Sequence, residues 1–229
     1  MTPPPLVDTR PKGRRWIRPG FAWLLPLLLL HLVVSGFPVH YPLFFAIRAI
    51  VRGSALVLTL YVSRIGRAFF LAMVVLTLVT AAASVSAPER PGWYQDLILA
   101  SWSMILLLAP VAIFRRIRKE FQGEGVDLEV VLGALCAYLW IGAYFAFLYG
   151  AAAVVFQSPF FDQPGAENQL NYLYFSFTTL TTVGYGDLSP GYGPGRMLAA
   201  TEAVIGQIYL VSVVAIIVGA FVRQKPPRS

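Results

Sequence analysis

Long apolar stretches separated by short polar or basic turns are the feature that most constrains the fold of this chain. Six such stretches can be marked, at residues 21–37, 41–63, 69–85, 97–114, 130–156 and 197–222. A membrane-spanning helix needs about 20 predominantly apolar residues, which each stretch supplies or approaches. Charged residues make up only 13% of the chain, roughly half of the usual share. The sequence therefore predicts an all-α integral membrane protein with six transmembrane helices.

The basic residues are concentrated at the ends of these stretches. Most of the 18 Lys and Arg residues lie in four groups, at residues 10–18, 64–67, 115–119 and 223–228. Six crossings bring these groups to one side of the membrane, and the positive-inside rule makes that side the cytoplasm. The net charge of +7 is therefore interpreted as a topology signal, with both termini cytoplasmic, and nucleic acid is not expected as a partner. A cleaved signal peptide is the competing interpretation of the first stretch, but no A-x-A-like site follows it promptly.

The interruption between the fifth and sixth stretches, residues 157–195, carries the most specific sequence of the chain. Residues 171–180 are largely apolar and aromatic, are too short to cross a bilayer, and run directly into the sequence TTVGYGD at residues 181–187. Non-helical backbone at membrane depth is tolerated only where it is buried in protein or lines an aqueous cavity. This pattern predicts a re-entrant loop, in which a short helix enters the membrane and an extended segment returns.

This segment closely resembles the pore loop of the potassium channel family, in which the TVGYG sequence is the standard example of a selectivity filter made from backbone carbonyls. The resemblance extends over about residues 128–222. It implies that K⁺ is coordinated by carbonyl oxygens and by the hydroxyl of Thr182. The implied ion-binding residues are Thr182, Val183, Gly184, Tyr185 and Gly186, with the carbonyls of the first four as the K⁺ ligands.

The two glycines of this filter have a conformational role. Successive carbonyls can point the same way only if φ alternates in sign, and Gly184 and Gly186 can adopt positive φ without a Cβ penalty. Val183 and Tyr185 would then point away from the ion path and pack against the pore helix. Because one loop cannot encircle an ion, the resemblance implies a homotetrameric pore with one loop from each chain.

Residues around the filter are expected to support it. Many family members carry two tryptophans where this chain has Tyr174 and Phe175, and one of those tryptophans bonds the filter aspartate. We expect the Tyr174 hydroxyl to make that bond to Asp187. Thr178 stands where some bacterial members carry a glutamate. The expected filter support comprises Thr178, Thr181, Asp187, Tyr174 and Glu202.

Two residues of the sixth stretch each have two interpretations. Glu202 is an ionisable residue inside an apolar segment and is therefore a functional candidate. It is either a polar or proton-sensitive support behind the filter, or a glutamate near the outer interface that is hydrated or bonded to a neighbouring helix. Gly206 falls where the family commonly has a hinge glycine in its inner helix, and this interpretation is favoured over that of a small residue for close helix packing. Arg196 falls at the start of the same helix, as in simple bacterial potassium channels.

The first four stretches do not resemble a voltage sensor, which is an Arg-rich helix. The fourth stretch has no arginine before its cytoplasmic end. Arg48 and Arg52, in the second stretch, are the only basic residues expected at depth. They are interpreted as snorkelling to the outer headgroups or marking a break in the helix, and alternatively as a lipid-phosphate or weak field-sensing site. His31 and His40 are expected to be packing or interfacial residues, and the single cysteine, Cys136, cannot form a disulfide within the chain.

Together these observations predict four parts: a disordered basic cytoplasmic N-terminus at 1–20, a four-helix membrane domain at 21–120, a pore domain at 121–223 and a cytoplasmic tail at 224–229. The expected function is passive, K⁺-selective conduction in a plasma membrane, the inner membrane of a bacterium, without conventional voltage gating. A weakly selective cation channel and a potassium transporter subunit are the alternatives. Neither an enzymatic activity nor a cofactor is expected, K⁺ being the permeant ion, and the sequence indicates no regulatory partner.

Overall fold

The computed structural model describes residues 20–36, 42–64, 66–86, 106–116 and 128–224, and the structural statements below concern these residues. This part of the chain is mostly helical, as predicted. Its helices are α1 (Phe21–Ser35), α2 (Pro42–Val62), α3 (Arg67–Ser86), α4 (106–116), α5 (Leu128–Val155), α6 (Gln169–Leu180) and α7 (Gly193–Gln224).

The described helix ends follow the predicted stretches to within two residues, except at the start of α7. Helix α7 begins at Gly193, earlier than the predicted start at 197, because Pro194 is tolerated in the first turn of a helix, where its missing N–H has no intrahelical partner. Helix α4 continues to residue 116, past the predicted end at 114. The beginning of the fourth stretch, His40, and nearly all of the predicted terminal segments lie outside the described residues.

Two of the described helical segments are long and apolar enough to cross a bilayer. Leu128–Val155 has a mean hydropathy of 2.0 and Gly193–Val213 has a mean hydropathy of 1.2. Shorter apolar helical segments occur at Phe21–Ser35, Ile50–Val62 and Arg67–Thr80. The described residues thus contain two candidate membrane spans on the two sides of residues 157–195, and the count of six spans stays a prediction.

Helix α5 lies between two apolar clusters. On one side it packs with α1 to α4, and the buried members of this cluster include Phe21, Leu24, Leu56, Leu60, Leu106, Ile113 and Trp140. On the other side it packs with α6, α7 and the loop before α6, through Phe145, Tyr149, Phe160, Phe161, Tyr172 and Phe175. The Trp140 indole N–H also donates to the Thr59 hydroxyl of α2 at 2.9 Å. Helix α5 therefore connects the N-terminal helices to the loop at 157–195.

The start of α1 is attached to the start of α5 through Phe21. The backbone N–H of Phe21 donates to the Glu129 carboxylate at 2.8 Å, which satisfies a helix N-terminal donor that has no intrahelical partner. The Phe21 ring packs against Gly133, where an added Cβ would lie 2.8 Å from a ring carbon. The Arg116 guanidinium of α4 lies 4.8 Å from the centroid of the same ring, so Phe21 joins α1 to both α4 and α5.

Arg48 and Arg52 lie in a continuous helix. Because α2 runs without interruption from Pro42 to Val62, the interpretation of these residues as a helix break is wrong. Arg48 is buried, and the Arg52 guanidinium lies 4.7 Å from the centroid of the Phe147 ring on α5. His31 is buried as well, so these basic side chains pack among the helices.

Candidate pore site

The loop before α6 is paired with the loop after the TVGYG sequence. Phe161 and Pro190 form an isolated antiparallel bridge, in which the Asp162 N–H donates to the Ser189 carbonyl at 2.9 Å. The Gln163 side chain contacts both the backbone N–H and the hydroxyl of Ser189. These bonds join the two ends of the segment that contains α6 and the filter.

Helix α6 is a short helix with defined ends. Its N-cap is Asn168, whose side chain accepts a hydrogen bond from the Asn171 N–H at 2.9 Å, a common way to satisfy an orphan N–H. Its C-cap is Thr181, whose hydroxyl and backbone N–H both donate to the Phe177 carbonyl. The helix, Gln169–Leu180, contains the whole of the segment 171–180 that was predicted to be a short helix.

The filter backbone alternates in the sign of φ. Thr182, Gly184 and Gly186 have φ values of 58°, 50° and 80°, and Val183 and Tyr185, between them, are not among the positive-φ residues. Positive φ is expected at the two glycines but is uncommon for a β-branched residue such as Thr182. This alternation is the backbone geometry that lets successive carbonyls point in one direction.

Three hydrogen bonds hold the filter segment against the neighbouring helices. The Thr182 N–H donates to the Thr179 carbonyl of α6 at 3.0 Å. The Gly184 N–H donates to the Thr178 carbonyl of α6 at 3.1 Å. The Gln207 side-chain amide of α7 donates to the Thr182 hydroxyl at 3.4 Å. Gln207 was not singled out from the sequence, although a polar residue in an apolar segment was a signal that could have found it.

The Val183 and Tyr185 side chains of the filter are exposed to solvent in the single chain. Val183 is 53% exposed and Tyr185 is 71% exposed, so one pore helix does not enclose them. The Tyr185 ring is stacked on that of Tyr174, with an interplanar angle of 3° and centroids 6.2 Å apart. The Tyr174 hydroxyl interacts with the Asp187 carboxylate, so the structure brings these two residues together, and the hydrogen bond between them stays a prediction.

The C-terminal end of α6 contacts both long helices. The Tyr138 hydroxyl of α5 donates to the Leu180 carbonyl at 2.9 Å. On α7, a Cβ added to Gly206 would lie 2.4 Å from the same carbonyl oxygen. Gly206 therefore has a packing role in this structure, which was the less favoured of its two interpretations, and the hinge role stays a prediction.

Glu202 lies behind α6 and away from the surface. It is fully buried, as are Tyr149 and Ser176, whose hydroxyls both contact its carboxyl group. Tyr149 and Ser176 were not singled out from the sequence, because they lie 53 and 26 residues away from Glu202. A hydrated glutamate does not fit a side chain with no exposed surface, whereas bonding to the neighbouring helices α5 and α6 is observed.

Comparison with known proteins shows that this region is similar to ion channels. Residues 133–223 match the family described as ion channel. A stretch of 49 residues is 39% identical to a protein of Rhodopseudomonas palustris that carries the provisional name of potassium channel protein. That stretch is 21% of this chain and 12% of the relative, so the chain spans only a small part of the relative's length. The resemblance to the potassium channel family is thereby confirmed for this region, and residues 133–223 are similar to an ion channel domain.

Proposed function

We propose that the ion channel domain at residues 133–223 is a K⁺-selective pore formed by four copies of this chain. The observation that carries the proposal is the alternation of φ along Thr182–Gly186, in a segment of the TVGYG sequence held beside a short helix. A dehydrated K⁺ ion needs oxygen ligands in place of its water shell, and rings of backbone carbonyls supply them. Conduction is passive and needs no cofactor.

The tetramer is supported by the incomplete surroundings of the filter. One chain provides a single row of carbonyls, and its Val183 and Tyr185 side chains remain largely exposed. In a fourfold assembly the carbonyls would face one axis, and the exposed side chains would pack against the pore helix of the adjacent chain. The C-terminal end of α6, which carries partial negative charge, would then favour a cation below the filter.

The proposed location is a plasma membrane, the inner membrane of a bacterium, with both termini in the cytoplasm. The two candidate spans α5 and α7 enclose the pore loop, and the basic groups of the sequence set the orientation. The N-terminal helices α1 to α4 complete six crossings in this proposal. One buried apolar cluster contains residues of these helices and of α5, which supports a membrane domain attached to the pore rather than a separate unit.

A weakly selective cation channel and a potassium transporter subunit are the competing proposals. Tyr185 supports the selective pore, because the filters of weakly selective cation channels often lack an aromatic residue at this position. A transporter of the kind with four degenerate pore repeats would need further repeats, and this chain has a single TVGYG segment.

The test is ion flux through the purified protein in liposomes. We expect K⁺ flux with a Na⁺/K⁺ permeability ratio far below unity, and a particle of four chains by mass measurement in detergent. A ratio near unity would favour the weakly selective channel. Flux that requires a second ion or a nucleotide would favour the transporter subunit.

A further inference from the structure

Helices α5, α6 and α7 meet at a single buried carboxyl group. The Tyr149 hydroxyl of α5 contacts Oε2 of Glu202, and the Ser176 hydroxyl of α6 lies 2.5 Å from Oε1. All three side chains have no exposed surface. The same Ser176 hydroxyl lies 2.7 Å from the Gly142 carbonyl of α5. These contacts form a closed circuit from α5 through α7 and α6 back to α5.

The number of hydroxyl hydrogens available for these contacts decides whether Glu202 is ionised or protonated. A serine hydroxyl has one hydrogen to donate. If Glu202 is ionised, Ser176 must donate its one hydrogen to the carboxylate. The Ser176 oxygen then lies 2.7 Å from the Gly142 carbonyl oxygen, and no hydrogen lies between these two oxygens. If Glu202 is a neutral acid, it donates to Ser176, Ser176 donates to Gly142, and Tyr149 donates to the other carboxyl oxygen. Only the arrangement with a neutral Glu202 places a hydrogen in each of the three contacts.

The surroundings of Glu202 favour the same conclusion. The described residues bring no Lys, Arg or His into contact with it. A buried carboxylate without a cationic partner is costly in a membrane, whereas a carboxylic acid with a donor and an acceptor is satisfied. Neutral carboxylic acids that serve as hydrogen-bond donors are known in apolar protein sites.

We propose that Glu202 is a neutral carboxylic acid that donates to Ser176 and thereby fixes the pore helix α6 between α5 and α7. Glu202, Tyr149 and Ser176 are positioning residues in this proposal, because they act on the filter through α6. Ser176 lies two residues before Thr178, whose carbonyl accepts the Gly184 N–H of the filter. The second part of the proposal, the effect on ion selection, rests on the proposed channel function.

A glutamine at position 202 reproduces the neutral acid but cannot reproduce a carboxylate. Its amide can donate to Ser176 and its carbonyl can accept from Tyr149. We expect Glu202→Gln to keep K⁺ flux and the Na⁺/K⁺ permeability ratio within about twofold of the parent protein. Glu202→Ala and Ser176→Ala break the circuit and are expected to raise that ratio several-fold. Tyr149→Phe removes one bond and is expected to have a smaller effect in the same direction.

Two control variants remove hydroxyls outside the circuit. Tyr144→Phe changes a tyrosine of α5 for which the described residues provide no hydrogen-bond partner. Thr201→Ala removes a hydroxyl of α7 that bonds only within its own helix, to the Met197 carbonyl at 2.8 Å. Both are expected to conduct like the parent protein.

Infrared spectroscopy tests the neutral acid independently of conduction. The spectrum of the parent protein at neutral pH minus that of Glu202→Gln should contain the carbonyl band of a protonated carboxylic acid. A carboxylate band in its place, or a glutamine variant as impaired as the alanine variant, would overturn the neutral acid. Unchanged selectivity in all the circuit variants would overturn the positioning role. If the parent protein itself does not select K⁺, the proposed function fails, while the infrared band still decides the state of Glu202.

Discussion

The Leu180 carbonyl oxygen occupies the space that a side chain at position 206 would need. An added Cβ on Gly206 would lie 2.4 Å from this oxygen, and the oxygen is held in place by the Tyr138 hydroxyl. The contact joins the end of the pore helix to the middle of α7. Because both contacting groups are backbone, neither can move aside by a change of rotamer.

Gly206→Ala should therefore disrupt the pore by overpacking. Inserting a methyl group into a close contact commonly costs about 1–3 kcal/mol, here in each chain. We expect lower thermal stability of the assembled protein and a large loss of K⁺ flux. Gly219→Ala on the same helix is the matched control, because the described residues place no atom of another helix within 4 Å of its added Cβ. A variant with normal stability but a lower open probability would instead support the hinge interpretation of Gly206.

Gly186→Ala should disturb the filter itself. Gly186 has a φ of 80°, a conformation that costs an L-residue with a Cβ roughly 1–2 kcal/mol. We expect assembled protein with greatly reduced K⁺ flux, measured in liposomes. Gly193→Ala, in the first turn of α7 and with open space at its Cβ, should conduct normally. Equal flux through both variants would show that the left-handed backbone at Gly186 is not needed.

Tyr174→Phe should shorten the time for which the filter conducts. It removes the interaction of the hydroxyl with Asp187 and retains the ring that is stacked on Tyr185. We expect single-channel recordings with more frequent closures and unchanged unitary current. Recordings indistinguishable from those of the parent protein would show that Asp187 does not depend on this hydroxyl.

Glu129→Ala should loosen the N-terminal helices without altering ion selection. The carboxylate accepts the Phe21 N–H at the start of α1, and removing an N-terminal cap commonly costs about 0.5–2 kcal/mol. We expect a lower melting temperature with an unchanged Na⁺/K⁺ permeability ratio. Glu129→Gln keeps an acceptor oxygen and should restore most of the stability. A changed permeability ratio in the alanine variant would indicate that α1 acts on the filter through α5.

Steep voltage dependence is not expected. A transferred elementary charge contributes about 2.3 kcal/mol per 100 mV, and steep gating needs several such charges in each chain. Arg116 lies at the end of α4 over the Phe21 ring, and Arg48 is packed within the helices. Open probability should vary weakly between negative and positive potentials in planar bilayers. A steep response that is lost in Arg48→Gln would identify α2 as a sensor and contradict this expectation.

The features of the site that could be predicted from the sequence are those that depend on neighbouring residues in the chain. The short helix before the filter follows from its apolar length, and the positive φ of Gly184 and Gly186 follows from the lack of a Cβ. Thr182 was not expected at positive φ, since a β-branched residue disfavours it. Tyr138 contacts Leu180 across 42 residues, and no local pattern indicates such a pairing. Glu202 could be found as an ionisable residue in an apolar segment, but its two hydroxyl partners required the packing of three helices.

The exposed side chains of Val183 and Tyr185 have a consequence for cells that are made to express two versions of the chain. In the proposed tetramer each subunit contributes one part of a shared filter. One subunit with a defective filter therefore inactivates a complex that also contains normal subunits. When a cell makes normal and filter-defective subunits in equal amounts, random mixing leaves only a small minority of complexes free of the defect. Filter mutations should therefore be dominant-negative, whereas mutations that prevent the chain from assembling should be recessive.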